Sequence, residues 1–518
     1  DNAPLLVSKA KKVYIVLKDG TENVLTDSAS YSLGEDDSNT DGAIFSKADL
    51  TINGSGTLTV NANYKHGIVS KDDLVITDGN INVTSASTAI EGKDSVKISG
   101  GTFNISAGTN GIKSTNTEAS DKGFISVTGG SFTLVANNDA FEAETVLSIE
   151  GGSFDITTGG GSANASMKSD GTPNSDWHNN MGNGGDGPNG GMGRPDDNRN
   201  GMGGDPPTMP TADDTGLTIE TAANTTTDST DTTDSTSTSA KALKAGSEVN
   251  ISGGEFKIDS ADDSVHSNGS IVVTGGNISA ASGDDGMHAS GNLTISDGTV
   301  DITKSYEGIE GSIVTIDGGT ISVVSSDDGI NCAGGSDTGS TDRMGADQFS
   351  AQEGVELNIN GGTVTIDADG DGLDSNGNFT MAGGTVYVCG PTNGGNGALD
   401  YNGTATVTGG TLIACGAVGM EEGFGDNSTQ YSVLHDLGST VSANEKLTIT
   451  DSDGKEILSF TPTKTWQSVV FTSADLKKGE TYTITAGLQS ETVTIDGIVT
   501  SNSKGKNFGG GHGGGRGF

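Results

Sequence analysis

The residues of this sequence that could do chemistry are carboxylates, and their spacing is regular. Asp367-Ala-Asp369-Gly-Asp371-Gly372 places three acids at alternate positions before a glycine. A calcium loop begins this way, with hard oxygen donors at alternate positions and a glycine where the chain must turn. The twelfth position is Asn378 rather than glutamate, and no helical pattern flanks the run, so an EF-hand is excluded. The missing donors would come from other parts of the fold, with Asp327 and Asp328 as candidates. Acid pairs recur upstream at Asp262-Asp263 and Asp284-Asp285, followed by Glu307 and Glu310. His266 and His288 stand three residues after an acid and read either as a surface ladder or as ligand contacts.

These acids are positioned by a repeat. A phrase of Asp/Asn-Gly-Ile, a short strand, Gly-Gly-Thr and another strand recurs along the chain. Taking the small residue before the apolar anchor as a marker gives Gly42, Gly67, Ala89, Gly111, Ala140, Ser166, Ala242, Ser264, Gly286, Gly308, Gly329, Gly372 and Gly397. Many intervals are 22 or 21 residues. A fixed period of this length means a solenoid. Period-two alternation, as in Val96-Lys97-Ile98 and Phe103-Asn104-Ile105, makes its elements strands. Glycine pairs such as Gly100-Gly101 and Gly253-Gly254 supply the tight corners. The expected fold is all-β, a right-handed parallel β-helix solenoid of about twelve coils, about 55 to 60 Å long at about 4.8 Å per coil.

Alignment on the marker stacks the acids. The residue before it is Asp263, Asp285, Glu307, Asp328 and Asp371 in successive coils, with Asn396 next; one place earlier stand Asp262, Asp284, Tyr306 and Asp327. Two places after it stand His266, His288, Glu310, Asn331 and Asp374. Carboxylates in register lie about 5 Å apart and repel by about 1 kcal/mol per pair in water, several times more at an effective dielectric of 20. Such a ladder suits Ca²⁺, which takes six to eight oxygen ligands. A solvated acidic edge is the alternative.

Composition narrows the function. With 69 acidic against 27 basic residues the net charge is −42, so nucleic acid and anionic membranes are repelled. The best apolar run, Val13–Leu17, is far below the roughly 18 residues a membrane helix needs. Three cysteines are too few for a disulfide scaffold. Cys389 and Cys415 share a register and read as stacked thiols, or alternatively as a disulfide. A chain opening on Asp1 reads as the mature form of an exported, extracellular protein.

Four segments are expected: an N-terminal β cap over 1–34, with KKVYIVLKDGTENVL as a hairpin; the β-helix over 35–430; a C-terminal antiparallel β module over 431–500, with a Ser452-Asp453-Gly454 turn and Trp466 in its core; and a glycine-rich tail over 501–518. The helix is interrupted by a low-complexity insertion at 170–238, inside the 76 residues from Ser166 to Ala242, and by an excursion at 332–354.

The runs AKALKAGSEVNISGGEFKIDSADDSVHSNG, SGDDGMHASGNLTISDGTVDITKSYEGIEG, SSDDGINCAGG and GDGLDSNGNFTMAGGTVYVCGPTNGGNGALDYNG resemble a clostridial family of secreted carbohydrate-binding β-helix proteins. The resemblance spans about 35–490 and is most specific over 239–403. It implies a right-handed parallel β-helix similar to pectate lyases, bound calcium, and affinity for plant cell-wall polysaccharide of the polygalacturonate or cellulose type.

Three functions compete. In a calcium-dependent binder of acidic polysaccharide the ion bridges uronate and protein carboxylates, with His266, His288, Lys304, Asn331, Asp400 and Tyr401 on the ligand side. A polysaccharide lyase on this fold needs a Lys or Arg base near the calcium. Lys304, three residues before Glu307, is the basic residue nearest the ladder and reads more simply as its ion-pair partner; Arg343 lies in the excursion. In a filament subunit, copies join end to end through the tail, anchored by Phe508 and Phe518. Trp177, Trp466 and Tyr401 are the aromatics that could stack on sugar, a sparse set for a cellulose platform. The expected protein is non-catalytic.

Overall fold

The computed structural model describes residues 2–32, 39–165, 239–333 and 350–503. The chain divides into two units, 1–168 with 237–518, and 169–236; all described residues belong to the first. Ser166, Trp177, Arg343, Phe508 and Phe518 lie outside the described residues, as do nearly all of the insertion and tail. The assembly expected through the tail therefore rests on residues that are not described.

Among the described residues the chain is β-strand and turn, with one 3₁₀ turn at Ser162–Asn164. The dominant pairing is parallel and solenoid-like. Thr102–Ala107 pairs with Asn80–Ser85 on one side and Ser131–Ala136 on the other. Pairing then passes to Ser153–Thr158 and Glu255–Ser260. Within each strand the alternation decides what is buried: Phe103, Ile105 and Ala107 are inside, and Thr102, Asn104 and Ser106 face out. In-register pairing puts like on like, so one apolar column runs from Leu5 through Ile44, Ile112, Phe141, Leu243 and Ile330 to Leu399. A second column stacks the rings of Phe103, Phe132, Phe154 and Phe256 at centroid spacings of 4.6, 4.9 and 4.5 Å.

Two glycine roles are visible. Gly152, second of its pair, turns the corner at φ 122°, and a side chain there would meet the Gly130 carbonyl at 3.0 Å. Gly286 is a marker; a Cβ there would lie 2.5 Å from the Gly308 carbonyl oxygen and from Ile302. The marker is small because it faces the backbone of the next repeat.

The structure corrects the repeat alignment at its irregular points. Phe141 pairs directly with Leu243, so the register steps from Ala140 to Ala242 and Ser166 marks no coil between them. Gly42 pairs with His66, making Ala43 the counterpart of Gly67. Leu373 pairs with Leu399, so Ala398, not Gly397, is the last marker, and Gly397 rather than Asn396 follows Asp371 in the acid column. The N-terminal hairpin does not form. Lys12–Val16 pairs in parallel with Asp49–Asn53, and Glu22–Thr26 with Thr57–Ala62. An Asp-Gly turn between alternating strands serves a hairpin and a solenoid corner equally well, and here Gly20 turns the corner at φ 69°.

Where the solenoid-like pairing ends, Thr411–Gly416 is covered by antiparallel pairing with Trp466–Thr472, and Ser432–Val441 pairs with Trp466–Thr472 antiparallel and with Val499–Ser501 in parallel. A four-stranded antiparallel sheet follows, in which Leu447–Thr450 pairs with Glu456–Phe460 across the Gly454 turn. Trp466 is buried in this module's core. Cys389 and Cys415 are in register, buried and free.

Candidate functional site

Each repeat sends two side chains to one edge: the residue before the marker and the residue two after it. The first column reads His66, Thr88, Asn110, Asp139, Lys241, Asp263, Asp285, Glu307, Asp328 and Asp371, tied rung to rung by backbone bonds such as Ala242 N–H to Asp263 C=O and Gly286 N–H to Glu307 C=O. The second reads Glu91, Lys113, Glu142, Lys244, His266, His288, Glu310, Asn331, Asp374 and Asp400. The structure thus brings together most of the acids that the sequence stacked.

The first column has a structural task. One carboxylate oxygen of each aspartate accepts the backbone N–H of the next rung: Asp139 from Lys241 at 2.8 Å, Asp263 from Asp285 at 3.1 Å, Asp285 from Glu307 at 3.2 Å, Asp328 from Asp371 at 2.6 Å, and Asp371 from Gly397 at 2.5 Å. A buried N–H with no partner costs about 1–3 kcal/mol, which is reason enough for an acid there. The second oxygen remains for other partners.

In the first part of the edge those partners are the protein's own cations. The Lys244 ammonium lies 3.1 Å from Asp139 and 3.9 Å from Glu142, and Lys113 lies 2.8 Å from Glu142. Lys241 bridges Asp262 at 2.8 Å and Asp263 at 2.7 Å. The His266 ring bonds Asp263 through Nδ1 at 2.8 Å and Asn268 through Nε2 at 2.9 Å. His288 Nδ1 lies 3.2 Å from Asp285 and 2.7 Å from Glu310, and the two imidazoles stack at 5.1 Å. Burial alone would lower the His288 pKa, but its bonded carboxylates outweigh burial and hold it up at about 11. Burial would likewise raise Asp263, yet Lys241 and His266 keep it well below the usual carboxylate range.

Past Glu310 the pattern of partners changes. Among the described residues no Lys, Arg or His forms an ion pair with Glu307, Asp328, Asp371, Asp400 or Glu422. Burial, then the charge of neighbouring acids, pushes Glu307 and Asp328 well above the carboxylate range. Burial lifts Asp371 to about 7 against the pull of the Gly397 N–H. Burial and Asp400 lift Glu422 to about 8. Asn331 gives Glu307 a neutral partner at 2.9 Å.

This end of the edge fits a hard cation on two observations. Glu422 Oε2 is buried with no hydrogen-bond partner. A side chain at Gly370 would fill a cradle, since its Cβ would lie 2.5 Å from a carboxylate oxygen of Asp327 and of Asp328. The donors are all oxygen, which suits Ca²⁺ over softer metals.

Three placements differ from the sequence reading. Asp367 and Asp369 do not join Asp371; they pair with Lys464 of the C-terminal module at 2.8 and 3.1 Å. The calcium-loop spelling is therefore split between two surfaces. Lys304 is not an ion-pair partner of the ladder, because its ammonium bonds the Ser162 carbonyl. Tyr401 is half-buried against the core and donates to the Gly423 carbonyl at 2.6 Å, so its hydroxyl is committed. Asp284 converges with Asp262 and Asp263, and Asp285 with His288 and Glu310, each set within metal-ligating reach.

Sequence reasoning missed Lys241, Lys244 and Glu422. The two lysines were legible, since they flank the marker Ala242 at the same offsets as Asp263 and His266. Glu422 belongs to no repeat and carries no such signal.

A family model described as carbohydrate-binding domain-containing protein matches residues 1–286 and 288–397. A carbohydrate-binding domain-containing protein of Acetivibrio thermocellus is 48% identical over 83 residues, 16% of this chain and 29% of that protein. The gadolinium derivative of the polysaccharide lyase-like protein from C. thermocellum is 43% identical, with a TM-score of 0.28, over 29% of this chain and 60% of that one. Both matches span less than two thirds of the relative.

Proposed function

The chain belongs to the carbohydrate-binding domain-containing protein family, and from that premise we propose that it is a secreted, non-catalytic, right-handed parallel β-helix that binds acidic plant cell-wall polysaccharide through calcium. The observation that carries the reading is the change of partner along the charged edge. Among the described residues lysines and histidines pair with acids of the edge as far as Glu310, and none pairs with Glu307, Asp328, Asp371, Asp400 or Glu422. Neighbouring carboxylates about 4.8 Å apart cost about 1 kcal/mol in water and about 3 at an effective dielectric of 20. A divalent ion removes that cost. It also supplies the positive charge that a uronate polymer needs to approach a protein of net charge −42. Asp371, Asp400 and Glu422 would hold the ion, with Asp327 and Asp328 beside it.

Retention on a polygalacturonate gel tests this. Wild-type protein will be retarded in calcium and released by chelator. Asp371→Asn will weaken retention at least about fivefold, a coupling of about 1 kcal/mol, and the exposed control Asp121→Asn will not. Equal effects from the two variants would reduce the edge to bulk charge.

Among the described residues the lyase reading finds no unpaired base, and Arg343 lies outside them. Lys304 is engaged with Ser162, and the described lysines of the two columns, Lys113, Lys241 and Lys244, are each in an ion pair with a carboxylate. Incubation with polygalacturonate and calcium will give no rise in the ultraviolet absorbance of unsaturated uronides, and Lys304→Ala will behave as wild type. A steady rise that disappears in that variant would make the protein an enzyme.

A further inference from the structure

We propose that the ammonium of Lys241 occupies a cation position that Asp262, Asp263 and Asp284 would otherwise give to a divalent ion. The ligand oxygens of the three acids lie within 4.8 Å of one another. The ammonium lies 2.8 Å from Asp262 and 2.7 Å from Asp263, two of the three, and is their cation. The carboxylates are oriented independently of the lysine. Asp262 accepts the N–H of Ala240 at 3.3 Å and of Asp263 at 3.0 Å, and Asp263 accepts the N–H of Asp285 at 3.1 Å. These backbone bonds remain when the lysine is removed; Asp263 keeps its bond to His266, while the ion pairs that Lys241 gives Asp262 and Asp263 are lost, and breaking a buried pair by removing one partner is strongly unfavourable. The residue before the marker is an acid at the next five rungs; among the described residues only at Ala242 is it a lysine, and its side chain reaches the acids of the following rung.

The assignment deepens the preceding section, resting on the same charged edge. It says where the row of exchangeable ions begins: after the rungs that carry their own cations.

The test is calorimetric calcium titration of folded, metal-free protein, with circular dichroism to establish folding. Lys241→Met will bind one calcium more than wild type, and Lys241→Met with Asp262→Asn will return to the wild-type count. An unchanged count in folded Lys241→Met overturns the proposal. If Lys241→Met is unfolded without metal and folds in millimolar calcium, the ion has replaced the ammonium and the proposal stands. If Lys241→Met and Lys241→Gln both stay unfolded in calcium, the position cannot take an ion and the proposal falls. A wild type that binds no calcium beside a Lys241→Met that binds one would refute the preceding section and leave this assignment intact.

Discussion

In millimolar calcium the protein will melt well above its transition in chelator, and the gap will widen as pH rises. A ligand that binds only the folded state stabilises it by about 2.7 kcal/mol at a hundredfold excess over its dissociation constant. The pH dependence follows from the acids at the end of the edge. Asp371 and Glu422 are lifted in the fold to about 7 and about 8, above their unfolded values. A carboxyl with a raised folded pKa binds its proton more tightly in the fold than in the unfolded chain. Stability is therefore highest below the unfolded value and is lost as pH rises through the folded one. His288, held up at about 11, acts in the same direction above about pH 6.5. Metal-free protein will thus melt lower at pH 8 than at pH 5.5. Calcium, binding the ionised acids, will flatten the decline. Scanning calorimetry at the two pH values, with and without chelator, checks this. A melting temperature indifferent to calcium at both would mean that the acids are solvated and need no ion.

The second large effect is in the core. Phe154→Ala will cost about 3–5 kcal/mol. Phe154 is 2% exposed, stacked between Phe132 at 4.9 Å and Phe256 at 4.5 Å, with Phe141 edge-on at 5.9 Å. Its removal opens a void between two rings that cannot collapse toward each other, because the backbone hydrogen bonds of Ser153–Thr158 hold the spacing on both sides. In a solenoid each repeat depends on its neighbours, so the loss falls on both. The urea midpoint of Phe154→Ala reads it. A shift equivalent to less than about 1 kcal/mol would mean that the aromatic column is not a cooperative part of the fold.

Much of this was legible in the residues because a parallel, in-register solenoid writes each contact into the local pattern. Asp263, Asp285, Glu307, Asp328 and Asp371 could be stacked from their offset to the marker alone, and each stands where the offset put it. The corners could be placed from the glycine pairs. What failed had partners outside the repeat. Asp367 and Asp369 are spelled like a calcium loop, and nothing nearby announces Lys464, some 95 residues on, which takes them. Glu422 folds back beside Asp400 from a segment with no period. The first strands read as a hairpin because an Asp-Gly corner does not say whether the next strand pairs with its predecessor or with a later repeat. The step from Ala140 to Ala242 was obscured by a long insertion, since no local rule tells whether such a stretch hides a coil.

The central claim is that the uncompensated acids hold calcium and that calcium holds the glycan. Calorimetric titration of metal-free protein with calcium, repeated in the presence of polygalacturonate, tests it most directly. Saturable binding of at least one ion that tightens when the polymer is present, and is lost with Asp371→Asn, is the result the account predicts. Calcium binding that is absent, or that is the same with and without polymer and in the variant, would contradict it.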